Sequence, residues 1–231
     1  MRRQDDCEIS TLKRLSDIST RLWRARDCQQ GLQEMLAATI EMLAADMGNV
    51  QILQPERGIL TIAVQQGFDP EFLDFFAEVS ADDDSACGRA LRTRERVVVA
   101  DVETEPAFAP YRDIARAAGF RAVQSTPLLS HDGTPLGIIS THFRWPRCLS
   151  EQEHYCLDLY ARLAVNFIER FHYEERLRQR ADELSAILDA LYQKNWGAVT
   201  LPTTSSPPHA APCLLQRQSR RPAPDPRRPM S

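Results

Sequence analysis

Two pairs of strand-like runs, each joined by a tight turn, constrain the fold of this chain more than any other feature. The first pair, NVQILQPERGILTIAVQQGF, is interrupted at Pro55–Gly58, and the second, RAVQSTPLLSHDGTPLGIISTHFR, is interrupted at Ser130–Gly133. Short Pro-, Gly-, Ser- or Asp-containing stretches between apolar and β-branched runs are typical of β-hairpins. The sequence therefore predicts an antiparallel sheet that contains two hairpins.

Short helices and one further strand are predicted between the hairpins. The helices are PEFLDFF, which begins at Pro70, ACGRALRTR, and PYRDIARAAGF, which ends at Gly119. Proline is favoured in the first turn of a helix and glycine just after its end. The valine-rich run ERVVVADV predicts a strand. This order of elements indicates an α+β fold, an antiparallel sheet flanked by helices on both sides.

Helices are also predicted at both ends of the folded region. Apolar residues at helical spacing mark two helices in the first ~45 residues, the second with Asp27 as its N-cap. These stripes are Leu12, Leu15, Ile18 and Leu22, then Leu32, Met35, Leu36, Ile40, Met42 and Leu43. A long C-terminal helix begins after Ser150, which forms a capping box with Glu153, and runs without Gly or Pro to about Trp196.

The second half of the long helix predicts a dimer. Its apolar residues follow the 4–3 spacing of a coiled coil, at Leu177, Ala181, Leu184, Leu188 and Leu191. Upstream the same register passes through Arg170 and Glu174, so the apolar seam is broken there. The seam could pack on the body of the protein, but a continuous helix that leaves the domain more naturally pairs with another chain. We therefore predict a homodimer through Leu177, Leu184, Leu188 and Leu191.

Composition limits the remaining possibilities. The final segment, residues 197–231, contains eight prolines and few large apolar residues, which predicts a disordered Pro/Arg-rich tail. Pro202–Ser231 carries five arginines and one aspartate, so a net charge of −4 for the chain leaves about −8 on the rest. An acidic body argues against nucleic-acid binding. No apolar run approaches a membrane span, and no apolar stretch follows the two N-terminal arginines, so we expect a cytoplasmic protein without membrane contact.

Catalytic and metal-binding motifs are absent from the sequence. The six cysteines form no CxxC pair and lack zinc-site spacing with histidine. Cys87 lies near a helix start with Arg89 close by, which would lower its pKa, but no resolving cysteine lies in the same predicted region. The single His142 on a strand and His172 on the long helix are interpreted as structural and solvated residues. We expect no enzyme activity and no metal, and the sequence leaves the cofactor unknown.

The chain from about Leu32 to Arg170 resembles a GAF domain. The resemblance is closest in GFDPEFLDFF and in SACGRALRTRERVVVADVETEPAFAPYRDIARAAGFRAVQSTPLLSHDGTPLGIISTHF, and it is to the GAF modules that lie beside PAS domains in bacterial sensor histidine kinases. It implies a five- or six-stranded antiparallel sheet, a ligand-sized pocket on one face and dimerising helices on the other. The implied division is an N-terminal helix (1–27), a GAF domain (28–170), a coiled-coil-like output helix (171–196) and the tail (197–231).

A ligand site is expected on the polar face of the sheet, beneath a roof formed by the segment Ser80–Gly119. Strand alternation predicts that one face carries Gln51, Gln124, Thr126, Ser140 and His142. The candidate roof residues are Phe68, Phe72, Cys87, Asp101, Phe108, Tyr111 and Ile114. A plain solvent-facing sheet surface remains an alternative. Asp82–Asp84 stands where the related modules have a glycine-containing turn, and its carboxylates repel anions, so the expected ligand is small, uncharged or cationic, and partly aromatic.

These observations predict a dimeric cytoplasmic sensory module that binds an unidentified small molecule. Such a module would form the input part of a two-component sensor histidine kinase, with a kinase or PAS domain as partner. Two other functions stay open. One is a small redox enzyme centred on Cys87, as in GAF proteins that reduce methionine sulfoxide. The other is a dimerisation scaffold without a ligand.

Overall fold

The computed structural model of the protein describes the backbone of residues 2–196 and the side chains of residues 13–194. Its elements are α1 (Arg2–Arg24), α2 (Cys28–Leu43), β1 (Met47–Gln54), β2 (Ile59–Gln66), α3 (Pro70–Phe75), β3 (Glu78–Ser80), α4 (Ala86–Thr93), β4 (Val97–Val99), a 3₁₀ helix (Pro106–Tyr111), α5 (Arg112–Ala118), β5 (Ala122–Leu129), β6 (Pro135–Phe143) and α6 (Glu151–Trp196). The predicted disordered tail, residues 197–231, lies outside the described residues.

The six strands form one antiparallel sheet in the order β3-β2-β1-β6-β5-β4. The two predicted hairpins are β1–β2 and β5–β6, and they join through the pairing of β1 with β6. Gly58 and Gly133 close the hairpin turns in the left-handed region that glycine adopts without strain (φ 66° and 81°). The predicted α+β fold with an antiparallel sheet is therefore confirmed.

One strand was missed by the sequence analysis. β3, Glu78–Ser80, has three residues and pairs with the outer side of β2. A run this short is too brief for strand alternation to be recognised. It forms one edge of the sheet, and the turn 81–84 follows it.

Local sequence chemistry explains where the helices begin and end. The Asp27 carboxylate accepts a hydrogen bond from the Gln30 backbone N–H (2.7 Å). At the start of α6 the Ser150 N–H donates to Glu153 Oε2 (2.8 Å), while the Glu153 N–H donates to Ser150 Oγ (3.3 Å), which is the predicted capping box. α5 ends at Gly119, in the left-handed conformation.

Helices α1, α2 and α6 cover one face of the sheet, here called the helix-packed face. Val50 of β1 and Ile139 of β6 belong to its core, together with residues such as Ile18 of α1, Leu36 of α2 and Ile168 of α6. Burial of these apolar side chains is the main stabilising contribution on this side. The sheet strands and the long helix are therefore in direct contact.

The short helices between the hairpins cover the opposite face. The roof contains α4, the 3₁₀ helix and α5, from the predicted segment Ser80–Gly119, and also α3, which precedes that segment. Its apolar side chains form a second core with Val97, Val123 and Ile138 of the sheet. Side-chain caps fix the roof helices: Asp69 Oδ1 accepts from the Phe72 N–H (3.0 Å), and Ser85 Oγ accepts from the Gly88 N–H (3.2 Å).

The chain divides into two compact units, Met1–Glu183 and Leu184–Ser231. All strands, the roof and the first five helices belong to the first unit. The described part of the second unit is helical.

Candidate ligand cavity

Polar side chains line the roof-side face of the central strands. Asn49 of β1 lies opposite Ser140 of β6, and Ser140 lies opposite Ser125 of β5. Residues directly opposite each other in an antiparallel sheet point to the same face, as do residues two apart in one strand. Gln51 and His142 therefore share this face with Asn49, Ser125 and Ser140.

A small cavity, partly open to solvent, lies between these side chains and the roof. Its volume of ≈ 20 Å³ is about the space of a single water molecule. It is lined by Asn49, Gln51, Phe72, Phe76, Ser85, Ala86, Cys87, Phe108, Phe120, Val123, Ser125, Ser140 and His142. The sheet contributes most of the polar lining, and the roof contributes most of the aromatic lining.

The prediction that Gln124 and Thr126 share this face is wrong. Gln124 pairs with Thr141 and Thr126 with Ile139, so both lie on the helix-packed face. There Gln124 Nε2 donates to Thr141 Oγ1 (3.0 Å), and Thr126 Oγ1 donates to Gln124 Oε1 (2.8 Å). Residues 124–126 are all polar, so alternation alone could not assign the face of β5. Ser125, the residue between them, is the one that lines the cavity.

Three buried polar atoms at the cavity have no hydrogen-bond partner: Asn49 Oδ1, Gln51 Oε1 and His142 Nδ1. Ser125 and Ser140, by contrast, satisfy each other through their hydroxyl groups (2.8 Å). Leaving a buried donor or acceptor unpaired costs about 1–3 kcal/mol for each group. The three atoms are therefore strong candidates for contacts to a ligand or to water.

His142 lies among aromatic rings. Its ring centroid is 4.7 Å from that of Phe120 and 4.9 Å from that of Phe68, both in edge-on geometry. Burial lowers the pKa of His142 to about 3, so the imidazole is neutral at physiological pH. A neutral imidazole both donates and accepts a hydrogen bond, and so presents no charge to the cavity.

Stacked phenylalanines fill the space beside the polar lining. Phe68 and Phe72 are nearly parallel (6°), with ring centroids 3.7 Å apart, and Phe76 lies 4.8 Å from Phe72. Phe72 is almost wholly buried and lines the cavity. Phe68, predicted as a site residue, and Ile114 belong to the roof core.

Cys87 lies in the cavity wall, at the start of α4. Its Sγ is 3.3 Å from Ser85 Oγ. Solvent reaches part of the residue, yet burial of the thiol raises the pKa of Cys87 above its ordinary value. The lowered pKa that the nearby Arg89 suggested is not found, and Arg89 instead faces Glu105 (3.7 Å). The thiol is therefore protonated, and weakly nucleophilic, at neutral pH.

Two other predicted site residues lie outside the cavity lining. The Asp101 carboxylate accepts hydrogen bonds from Arg121 (2.7 and 3.0 Å), which lower the pKa of Asp101. Tyr111 Oη donates to Asp83 Oδ1 (3.1 Å), and its ring contacts Phe108 (centroids 5.4 Å apart). Both residues stabilise the loops and the roof around the site.

The acidic turn before Cys87 is held by specific contacts. Asp83 Oδ2 accepts from the Ser80 N–H (3.1 Å), and Asp84 pairs with Arg92 (3.1 Å). Among the described residues, the non-glycine residues with positive φ are Ala44 and Arg94, so Asp82–Asp84 forms the turn without the conformation that glycine would favour.

The sequence-based prediction of the site omitted several residues that line the cavity, although strand alternation identifies one of them. Asn49 is two residues from Gln51 in the same strand, so the alternation that selected Gln51 also places Asn49 on the face. Phe76, Ser85 and Phe120 come from roof elements or loops, where no period assigns a direction. Their placement depends on tertiary packing.

Within the described part of the chain, no group of three or more His, Cys, Asp or Glu side chains is arranged to hold a metal ion. A search of the same residues finds no helix with the length and apolar character needed to cross a membrane.

Comparison with known proteins identifies the relatives of this fold. A methyl sulfide methyltransferase-associated sensor from Methanosarcina acetivorans is 28% identical over 102 residues, which are 44% of this chain and 10% of that protein. This chain thus matches only a tenth of the relative's length.

Solved structures share the fold at low identity. The GAF domain from a phosphoenolpyruvate-protein phosphotransferase of Coxiella burnetii has a TM-score of 0.63 at 18% identity, over 73% of this chain and 98% of that chain. Free methionine-R-sulfoxide reductase from Neisseria meningitidis, solved with its substrate, has a TM-score of 0.59 at 19% identity, over 71% of this chain and 91% of that chain. These likenesses show the fold alone.

The GAF domain family model matches residues 25–169, well over half of the sequence. The match includes both hairpins, the roof and every residue that lines the cavity. The chain belongs to the GAF domain family.

Proposed function

We propose that this chain is a sensory module that binds a small molecule in the cavity beneath the roof and transmits binding to helix α6. GAF domains are sensory, small-molecule-binding modules. The observation that carries the proposal is the convergence of Asn49 Oδ1, Gln51 Oε1 and His142 Nδ1, all buried and unpartnered, on one cavity. A purely structural sheet face would have no use for three such costly groups.

Ligand binding requires the roof to move. A cavity of ≈ 20 Å³ accommodates one water molecule but no organic ligand. The hydrogen-bonded ladder limits the sheet floor to small shifts, whereas α3 has only six residues. The Phe72 side chain and α3 are therefore the parts that give way when a ligand enters.

The strands offer a short route from the cavity to the helices. In β6, Ser140 and His142 face the cavity, while Ile139, directly before Ser140, packs in the core that includes Ile168 of α6. In β1, Val50 lies between Asn49 and Gln51, pairs with Ile139 and belongs to the same core. A ligand that shifts these strands by a fraction of an ångström changes the packing of α6, because close-packed cores transmit strain.

The output of the module is proposed to be a homodimer formed through α6. The leucines at coiled-coil spacing, Leu177, Leu184, Leu188 and Leu191, are between 48% and 66% exposed in the single chain. Large apolar side chains at such spacing gain stability when a second helix covers them. In this reading the chain is the cytoplasmic input part of a two-component sensor histidine kinase, with a kinase or PAS domain as partner.

Native mass spectrometry of the purified full chain tests the proposal. We expect a bound small molecule whose mass is lost when Asn49 and Gln51 are both replaced by leucine. Gln33→Leu, an exposed change on α2, is the control and should keep the bound mass. If the wild-type chain carries no small molecule and a metabolite library produces no shift in its melting temperature, the sensor proposal fails and the ligand-free scaffold is preferred.

A Cys87-centred redox enzyme has weaker support. The protonated, buried thiol of Cys87 is a poor nucleophile, because thiolates rather than thiols react. The structural likeness to methionine-R-sulfoxide reductase concerns the fold and carries no residue-level argument.

A further inference from the structure

We infer that the ligand of this cavity is an uncharged planar ring that donates N–H hydrogen bonds, and that its ring takes the place held by the Phe72 side chain. This inference rests on the proposed sensory function and specifies the class of molecule that is sensed. Three independent features of the cavity support it: the charge of its lining, the chemistry of its unpartnered atoms, and the geometry of its aromatic rings.

The lining excludes a charged ligand. None of the described residues that line the cavity is an arginine, lysine, aspartate or glutamate. His142 is neutral because burial lowers its pKa to about 3. In the acidic turn, Asp83 accepts a hydrogen bond from Tyr111 and Asp84 pairs with Arg92. A buried ion without a partner is strongly destabilising, so neither an anion nor a cation is matched here.

The unpartnered atoms call for hydrogen-bond donors on the ligand. Asn49 Oδ1 and Gln51 Oε1 are carbonyl oxygens, which only accept. They project from positions two residues apart in β1, which are about 7 Å apart along an extended strand. His142 Nδ1 lies on the same face, in the adjacent strand β6. A ligand with N–H groups at its periphery, such as an aromatic amide or a nitrogen heterocycle, satisfies the two side-chain carbonyl oxygens. The neutral imidazole of His142 can accept a further N–H or donate its own.

The aromatic geometry defines a flat slot. The Phe72 ring stacks on Phe68 at 3.7 Å and meets Phe120 and His142 edge-on, with centroids 6.2 and 5.8 Å away. The stack of Phe72 on Phe68 is nearly face to face, and the contacts of Phe72 with Phe120 and His142 are of the edge-on kind that aromatic rings prefer. A planar ligand ring in place of Phe72 keeps each of these contacts. It also brings N–H donors, which phenylalanine lacks, to the side-chain carbonyl oxygens of Asn49 and Gln51.

Three matched probes on a cavity-opening variant test the inference. Phe72→Ala in the full chain removes the ring, and apolar cavities made in this way bind small aromatic molecules. The probes are benzamide (uncharged, with N–H donors), N,N-dimethylbenzamide (uncharged, without donors) and benzoate (anionic), each titrated by calorimetry at neutral pH. We expect benzamide to bind Phe72→Ala at least about tenfold more tightly than either other probe. Phe75→Ala, at an exposed position of the same helix, is the control and should gain no binding.

Each other outcome overturns a defined part of the inference. Benzoate binding as tightly as benzamide contradicts the uncharged class. Equal binding of N,N-dimethylbenzamide contradicts the requirement for donors, and no benzamide binding to Phe72→Ala contradicts the replacement of the ring. If Phe72→Ala does not fold, Phe72→Leu and the ranking of the probes on the wild type by saturation-transfer NMR decide the same points. A small molecule seen on the wild type by native mass spectrometry would keep the sensory function intact in all of these cases.

Discussion

Gly31 of α2 lies directly against the ring of Phe167 of α6: a β-carbon at residue 31 would stand 1.9 Å from Cζ of Phe167. Both residues are buried on the helix-packed face. Glycine in a helix costs about 0.5–1 kcal/mol relative to alanine, and here it gives the Phe167 ring the space to seat α6 against α2. The contact packs α6 against α2, the helix that directly precedes β1.

Gly31→Ala is expected to destabilise the protein even though alanine is the better helix former. The added methyl group overlaps the Phe167 ring, and overpacking of this kind costs about 1–3 kcal/mol. Urea denaturation should show a lower midpoint for the variant than for the wild type. Gln33→Ala, at an exposed position of α2, is the control and should change stability by no more than a few tenths of a kcal/mol.

A double-mutant cycle identifies the contact. Phe167→Leu removes the overlapping ring edge and should recover much of the loss when it is combined with Gly31→Ala. Additive effects of the two changes would show that the overlap is not the cause of the destabilisation.

The buried His142 predicts a stability that falls in mild acid. Its pKa is about 3 in the folded protein and about 6.5 in the unfolded chain, so between these values the unfolded chain binds a proton that the folded protein does not. Stability is therefore retained above pH 6.5 and is lost as the pH falls below it. From about pH 7.5 to about pH 5.5 this histidine should lower the free energy of unfolding by about 1.4 kcal/mol.

Urea denaturation across this pH range measures the effect. His142→Gln keeps a polar side chain but removes the titration. Between the two pH values its free energy of unfolding should therefore fall by about 1.4 kcal/mol less than that of the wild type. His172→Gln removes an exposed histidine from α6 and should follow the wild-type curve. Parallel curves for the wild type and His142→Gln would show that His142 is not held neutral by burial.

Local chemistry is the part of this structure that the sequence predicts well. The hairpin turns, the caps at Asp27 and Ser150 and the end of α5 at Gly119 each depend on residues within a few positions of one another. Gln51 was placed on the correct face because polar and apolar residues alternate around it in β1. Ser140 and His142 were placed on one face because they are two residues apart in β6, and the polar Thr141 between them lies on the other face. Each of these features can be derived without knowledge of tertiary contacts.

The rest of the site depends on packing that sequence periodicity does not encode. β5 is covered on both faces, and its residues 124–126 are all polar. Whether Ser125 or its neighbours Gln124 and Thr126 line the cavity is therefore decided by the register of β5 with β6. Asp101 and Tyr111 were assigned from the roof segment as a whole, but their partners Arg121 and Asp83 direct them away from the cavity lining.

Cys87→Ser is expected to fold normally and to keep its ligand affinity within about tenfold of the wild type. The thiol lies in the cavity wall, its pKa is raised by burial, and its neighbour is the hydroxyl of Ser85, which accommodates a second hydroxyl. The measurement is calorimetric titration of both proteins with the molecule released from the wild type. Reduction of free methionine sulfoxide by the wild type that is lost in this variant, and retained in Cys148→Ser, would instead establish the redox enzyme.

Dimerisation should depend on the leucines of the long helix. Each buried leucine contributes about 1.5–3 kcal/mol when a partner helix covers it, so charges at two seam positions should weaken the dimer by on the order of 100-fold or more. The variant is Leu184→Lys with Leu191→Lys, and sedimentation velocity over a concentration series measures the dissociation constant. Ala186→Lys is the matched control, because residue 186 falls on the outer side of the 4–3 pattern and is exposed.

A chain cut after Arg170 removes the seam altogether and should be monomeric at concentrations where the full chain is a dimer. If this shortened chain dimerises as tightly as the full chain, the interface lies elsewhere on the GAF domain, and the transmission of ligand binding through a paired α6 must be abandoned.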